Sequence, residues 1–498
     1  MVIVKNNDVQ AELCFQKKDY LIPLGHKARF FVNFMEEALD KFGIKDDENK
    51  VGRTAYSPRS MLKLIIYAKI NHITSSIIIE DNAKYHDVYK FVCDYITPDE
   101  RSIRRYRQEY KKIYNELLKM TLKKAEEDGL TTFNHVPLDG TIVKAYNNIH
   151  NRINKKETDI LLKYYQEDQI EEKELEKLSR PAKKFMNNKK ISAEGKIKIL
   201  KRIKEEFNNT KQDKIPLNDI KARKMKGKRG NFKIAYNVQS AVDSETNLIC
   251  AITVSQNPTD HYELPKIADK AIKNIEKKPK YMSADTIYLN NTSLSYGLNK
   301  EIELLIPNRK QAKEDTNRLN ENPYHKDHFQ YDIDKDSFKC PEGHHLTFYK
   351  EYEKETEDTD KPNKIIRLYN NYTACKNCKQ KNKCITSKQT HRTITENGEQ
   401  MQRAMYVKME KEEYRKEFSK RSCVERPFGT LKIQYNIEDE VVIGIEDTED
   451  FLTLDALAYN INRLYNILHE NNSTDELLNN NSSMLINSTQ SELALAYS

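Results

Sequence analysis

From about residue 232 the hydrophobic period switches toward two. The run Phe232-Lys233-Ile234-Ala235-Tyr236-Asn237-Val238-Gln239-Ser240-Ala241-Val242 alternates as a half-buried strand does. Asp243 to Asn247 supplies a turn and Leu248 to Val254 a second strand, so the pair is a hairpin. Three further strands are expected: Asn134 to Ala145 with Asp139 at its middle, residues 280–289 with Asp285 near the C-terminal end, and Glu303 to Pro307. Asp260 reads as the cap of a helix running to about Ile275. The order β, insertion, β, β, α, β, α, β describes a mixed α/β domain.

The flanking segments follow other rules. Ser57 can cap a helix with Pro58 in its first position, and Ser75 or Ser76 opens another. Thr97-Pro98-Asp99-Glu100 is a capping box. The helix it opens carries Ile103, Tyr106, Tyr110, Ile113 and Leu117 on one face, flanked by cations that include Arg104 and Arg105. Short helices before a longer basic one suit a helix-turn-helix DNA reader, or a plain bundle with a solvated basic face. Residues 156–212 are long, charged and poor in Gly, as in a helical hairpin. Residues 310–410 are polar and hold a cysteine cluster, and the Asn/Ser-rich tail 471–498 is expected to be disordered. The expected domains are a helical DNA-binding region at 1–130 and an α/β domain at 131–470, interrupted by insertions at 150–215 and 310–410.

Composition sets the outer limits. The chain has 498 residues, which suggests about three domains. There are 84 Lys+Arg against 76 Asp+Glu, so the net charge of +8 hides strong charge of both signs and its location matters more than its sum. No run approaches ~18 apolar residues, which argues against a membrane span. The start, MVIVKNNDVQ, lacks a basic then apolar leader, so a cytoplasmic protein is expected.

Three acids stand out. Asp139 lies in the apolar stretch VPLDGTIV, Asp285 ends another apolar strand, and Glu425 sits among Arg421, Arg426 and Lys432. An acid in such a strand is costly without a role, although a turn or a cap is an ordinary one. Three gathered carboxylates need a counter-charge, which two Mg²⁺ about 3.5–4 Å apart would supply while activating a water or a sugar hydroxyl. Spacings of 4 and 7 put Arg421, Glu425 and Lys432 on one helical face, unless Pro427 breaks the helix. That face would offer a metal-binding carboxylate between two cations for DNA phosphates; the plain alternative is a surface salt-bridge face. Between Lys221 and Lys233 seven cations, among them Lys224, Lys226, Lys228 and Arg229, meet no acid, as in a phosphate-contacting loop or a solvated charge run.

Together these residues resemble the DDE transposases of bacterial insertion sequences, in the branch whose signature is Tyr-x2-Arg-x3-Glu-x6-Lys. Phe418 stands in for the tyrosine, and Arg421, Glu425 and Lys432 match. Asp139-Gly140-Thr141 is similar to the first-aspartate motif, Ser283 to Tyr288 to the second, and Tyr236-Asn237-Val238-Gln239 to a strand of the family. The likeness covers roughly residues 55–470. It implies an RNase H-like core in which Asp139, Asp285 and Glu425 bind two catalytic Mg²⁺. Water would cut at the element's end and the freed 3′-OH would attack target DNA. It also implies a homodimer in the DNA complex and a place with the nucleoid. The rivals are a DNA-binding protein that has lost catalysis and a metal-dependent nuclease that cuts without joining.

The cysteines divide. Cys14, Cys93, Cys250 and Cys423 are scattered, whereas Cys340, Cys375, Cys378 and Cys384 share one stretch. In a reducing compartment a C-x-x-C with two further cysteines points to a closed, structural Cys₄ zinc site. One half has a single cysteine, so His344, His345 or His391 could replace a ligand; unbound thiols are the alternative.

Overall fold

The computed structural model describes residues 22–45, 56–166, 172–227, 230–315, 318–332, 334–354, 364–386, 388–397, 399–437 and 442–469. The tail expected to be disordered, and Lys228 and Arg229 of the basic loop, lie outside the described residues.

Among the described residues six helices come first: α1 Lys27–Lys41, α2 Pro58–Ile70, α3 Ser76–Tyr85, α4 Asp87–Val92, α5 Glu100–Glu109 and α6 Ile113–Glu127. Ser57 caps α2 as its sequence demands, accepting from the Ser60 N–H with Pro58 in the first turn. α2 is buried from Ser60 to Ile70, and its charges are matched: Lys63 Nζ lies 2.5 Å from Glu36 and 2.7 Å from Asp94. The single basic helix expected after Thr97 is two helices. Asp99 caps α5, and Tyr110 ends it. At the break Lys111 and Lys112 turn to Asp447 and Asp450 of a helix over 445–469, so long-range ion pairs override the local periodicity.

The central sheet starts with β1, His135–Lys144. A helical insertion follows, closed at its neck by the short pair β2 Arg152–Ile153 and β3 Ile215–Pro216. Its helices are α7 Lys155–Gln166, α8 Glu172–Glu176, α9 Arg180–Met186 and α10 Ala193–Asn209. They bury their own core of Leu161, Leu200, Ile203 and Ile215. The chain returns as β4 Arg223–Lys226, β5 Phe232–Val242, β6 Ile249–Ser255, α11 Leu264–Ile275, β7 Tyr281–Ser283, α12 Asn291–Lys300 and β8 Glu303–Leu305. β5 runs antiparallel to β1 and carries β4 and β6 on its other edge. β7 is parallel to β1, and β8 to β7. This mixed α/β arrangement resembles an RNase H-like core.

After α13, Arg309–Asp315, a separate five-stranded antiparallel sheet holds the cysteines: β9 Gln330–Asp332, β10 Ser337–Lys339, β11 His345–Lys354, β12 Lys364–Asn370 and β13 Thr393–Asn397. Two short helices, α14 Tyr372–Lys376 and α15 Lys381–Cys384, connect β12 to β13. Its core is small, built on Phe329, Phe338, Leu346, Tyr369 and Ile394. The chain then forms α16 Gln400–Glu410, α17 Glu412–Ser419, a 3₁₀ segment Lys420–Val424, α18 Glu425–Ile433 and α19 over 445–469. The largest apolar core joins α1 to α6, β5, β6, Val424 to Ile437 and α19. No helix among the described residues is long and apolar enough to cross a membrane.

Candidate active site

The parallel pairing of β1 and β7 leads toward the first two acids. His135 faces Tyr281, Val136 faces Met282 and Pro137 faces Ser283. The pairing ends there; Asp139 lies two residues past Pro137 and Asp285 two past Ser283, and the two carboxyls are near enough for Asp285 to act electrostatically on Asp139. Asp285 is not inside a strand as expected. β7 ends at Ser283, and Asp285 caps a one-turn 3₁₀ helix, its carboxylate accepting from the Ile287 N–H at 2.9 Å. A cap fixes the carboxylate more firmly than a strand end would.

Burial raises the pKa of both carboxyls. For Asp139, Arg421 and the Gly140 N–H oppose the rise, while Asp285 and Asp260 add to it. For Asp285, the Ile287 N–H and Arg421 oppose it and Asp260 adds to it. Asp260 is thus a third acid of this pocket, and the sequence placed it wrongly. It does not cap α11, whose N-cap is Glu263. Its Oδ1 accepts from Asn237 Nδ2 at 2.8 Å and from Gln239 Nε2 at 2.6 Å. Gln239 is held in turn by the Tyr288 hydroxyl. The available signal was two amides, Asn237 and Gln239, on one face of a buried strand, which must find polar partners. The same packing explains Gly140: a Cβ there would meet Asp260 Oδ1 and Gln239 Nε2 at 2.5 Å.

The signature segment is not one helix. The backbone tightens to 3₁₀ over Lys420–Val424 and restarts as α18 at Glu425. Pro427 therefore falls in a first turn, where its missing N–H costs nothing. Arg421 Nη2 lies 3.1 Å from Asp139 Oδ1, and its buried Nε has no hydrogen-bond partner among the described residues. Glu425 is exposed, and its side chain makes no hydrogen bond or ion pair among the described residues. Lys432, seven residues on, shares its side of α18.

A buried chain locks the segment to the two strands. His135 Nδ1 lies 2.9 Å from Glu417 Oε1, and Nε2 lies 2.8 Å from Ser283 Oγ. An ionised Glu417 only accepts, so Nδ1 carries the proton and Nε2 accepts from the Ser283 hydroxyl. Burial pushes His135 down to about 4, so it is neutral at pH 7. Burial resists ionisation of Glu417, but hydrogen bonds from Lys420 and His135 hold it below the usual carboxylate range. His135, Ser283 and Glu417 precede Asp139, Asp285 and Arg421 by four, two and four residues.

The other expected DNA contacts stand apart. Lys224 and Lys226 point outward from β4. On α5, Arg104 pairs with Glu100 at 2.7 Å, and Arg105 lies over Tyr106. Cys340, Cys375, Cys378 and Cys384 line one cavity of about 30 Å³, together with His344. Burial raises the Cys384 thiol, and the other three cysteines raise it further, which a bound cation would reverse. His345 bonds to Ser337 Oγ, and His391 to Thr390 Oγ1. Among the described residues no three His, Cys, Asp or Glu side chains are gathered closely enough to hold a metal ion as they stand.

Two family models match the chain. The one described as a transposase DDE domain matches residues 339–465, and the one described as a transposase domain (DUF772) matches residues 16–109. Neither spans half of the chain. Compared with curated proteins, the chain matches none.

Proposed function

We propose that this chain, which two transposase-domain models match in part, is a DNA transposase that cleaves insertion-sequence ends in a metal-dependent reaction and joins the freed 3′-OH to target DNA. The observation that supports this most is the nearness of Asp139 on β1 to Asp285 just beyond β7, close enough to act on its charge, with Arg421 reaching Asp139 from the signature segment. The residues fit Mg²⁺: hard oxygen donors, partly open to solvent, whose raised pKa values a cation would lower. Asp139, Asp285 and Glu425 would hold two ions, which when bound activate the attacking oxygen and stabilise the leaving one. Arg421 supplies the counter-charge at Asp139 in the metal-free chain. Lys432, Lys224 and Lys226 would hold the backbone of the duplex, and the His135 chain fixes the position of α17. The four cysteines would hold a structural zinc, compensating for the small core of their sheet. We place the reaction in a DNA-bound homodimer.

Purified protein, Mg²⁺ and the element's own ends test this. Asp139→Ala, Asp285→Ala and Glu425→Ala should bind the ends as the parent does and make no cuts. Normal cutting by any one of them removes that residue from the site. Metal analysis of the same preparation should find one zinc per chain, and its absence refutes the staple. A second reading, DNA binding without catalysis, draws on the exposed, unbonded Glu425; a parent protein that binds but never cuts would establish it.

A further inference from the structure

The positive charge of the chain is concentrated in the helical insertion. Residues 177–204 hold eleven Lys+Arg and one acid, Glu194, a local net charge of 11 − 1 = +10. The whole chain is +8, so everything outside those residues sums to 8 − 10 = −2. The segment covers α9, a short loop and most of α10.

Its geometry sorts the cations. Lys196 is buried and donates to the Met186 carbonyl, Lys183 donates to the Glu176 carbonyl, and Lys204 pairs with Asp159. The other eight are exposed and make no ion pair among the described residues. On α10 the buried side is Lys196, Leu200, Ile203 and Phe207, so Lys198, Lys201 and Arg202 are left facing solvent. Arg180 and Lys184, one turn apart on α9, and Lys189 and Lys190 in the loop are exposed as well. The acids Glu172, Glu174 and Glu176 of α8 bound the basic face on the side where the segment begins. Eight cations with no ion pair among the described residues repel one another, an excess of one sign that suits a polyanion.

The insertion is fastened to the central sheet. Glu206 of α10, itself buried, is gripped by Arg223 of β4 and by Lys221 at 2.6 Å. Lys224 and Lys226 of the same edge strand point outward. The insertion also leaves the sheet directly after β1, which carries Asp139.

We propose that the exposed cations of α9, the following loop and α10 form a second DNA-binding surface, which holds the sugar–phosphate backbone of duplex DNA flanking the reacting strand. The inference deepens the transposase reading, but it concerns binding alone and is tested without metal. A surface of lysines outside the sheet gives affinity without base preference.

The test uses the full chain without Mg²⁺ and a duplex of about 40 base pairs lacking the element's ends, titrated over a range of salt. One variant carries Lys184→Gln, Lys189→Gln and Lys190→Gln, a second carries Lys198→Gln, Lys201→Gln and Arg202→Gln, and a third carries all six. The salt slope should fall by roughly 0.9 for each phosphate that is no longer neutralised. The sixfold variant should therefore bind at least about tenfold more weakly near 0.1 M salt, with each trio in between. The six side chains are exposed and repel one another, so melting should not fall, and the trios report separately if one variant folds badly. Asp139→Ala should keep the parent slope. If the parent never cuts DNA, the transposase reading fails while this measurement remains decisive for the surface. Unchanged slope and affinity in the sixfold variant would overturn the proposal. So would loss of binding only to a hairpin RNA, or only to phosphatidylserine vesicles, with duplex binding intact.

Discussion

At the scale of single residues, the acid pocket is a place where the fold tolerates charge at a cost. Burial raises the pKa of Asp285, so the folded chain binds a proton there more readily than the unfolded chain does. The sign follows from linkage: an acid with a raised folded pKa loses its contribution to stability as pH rises through that value. Asp285→Asn keeps an oxygen for the Ile287 N–H and removes the charge. It should raise the melting temperature of the metal-free protein at pH 7 and abolish the further rise that Mg²⁺ gives the parent; a lower metal-free melting temperature would contradict this. His135 works in the opposite direction. Its folded value of about 4 lies below the unfolded 6.5, so its neutral form is what the fold accepts. Its contribution is complete above pH 6.5 and is lost as pH falls toward 4, by roughly 3 kcal/mol across that interval. Denaturant titrations from pH 4 to 7 should show this slope in the parent and a shallower one in His135→Gln.

At the scale of elements, the site depends on where strands stop and helices restart. The strands on either side of the turn after Val242 were legible in position, but not in burial: β5 is buried without a break from Ile234 to Val242 and β6 throughout, so neither is the half-buried strand that a period of two describes. The capping of α2 by Ser57 was legible because it is local. What could not be read were choices made by distant partners. β7 ends at Ser283 because Asp285 caps the turn beyond it, and the basic helix after Thr97 breaks where Lys111 and Lys112 meet α19. Asp260 looked like an ordinary cap because its partners, Asn237 and Gln239, lie on another strand. Of the three acids singled out, Asp139 and Asp285 lie just past the paired ends of β1 and β7, with Asp285 acting electrostatically on Asp139, whereas Glu425 stands one helical turn beyond Arg421. The closeness of Asp260 to β1 yields a prediction for the glycine between them. Gly140→Ala places a methyl 2.5 Å from Asp260 Oδ1 and Gln239 Nε2. Both atoms belong to a hydrogen-bonded pair that cannot move freely, so chemical denaturation should show a loss of about 1–3 kcal/mol. A neutral result would mean that Asp260 can swing away.

At the scale of the whole molecule, the question is which parts share a core. Residues of α1 to α6 pack in one apolar cluster with β5, β6, Val424, Leu431 and α19. The N-terminal helices and the C-terminal helix thus cover the sheet that holds Asp139. The insertion differs: its core of Leu161, Leu200, Ile203 and Phe207 is its own, and its neck is closed by a two-residue strand pair. Removing residues 1–130 would open the apolar cluster that α1 to α6 share with β5 and β6, a loss of many buried side chains at roughly 1.5–3 kcal/mol each. That exceeds the roughly 5–15 kcal/mol that holds an ordinary domain folded. Excising 155–212 and joining the neck with a short Gly-Ser linker removes one self-contained core and the Glu206 ion pairs with Arg223 and Lys221. The truncated chain should therefore be insoluble or lack a cooperative melt. The excised chain should melt cooperatively within a few degrees of the parent and bind non-specific duplex more weakly. A truncated chain with a sharp, parent-like transition would show that the sheet needs no cover from α1 to α6.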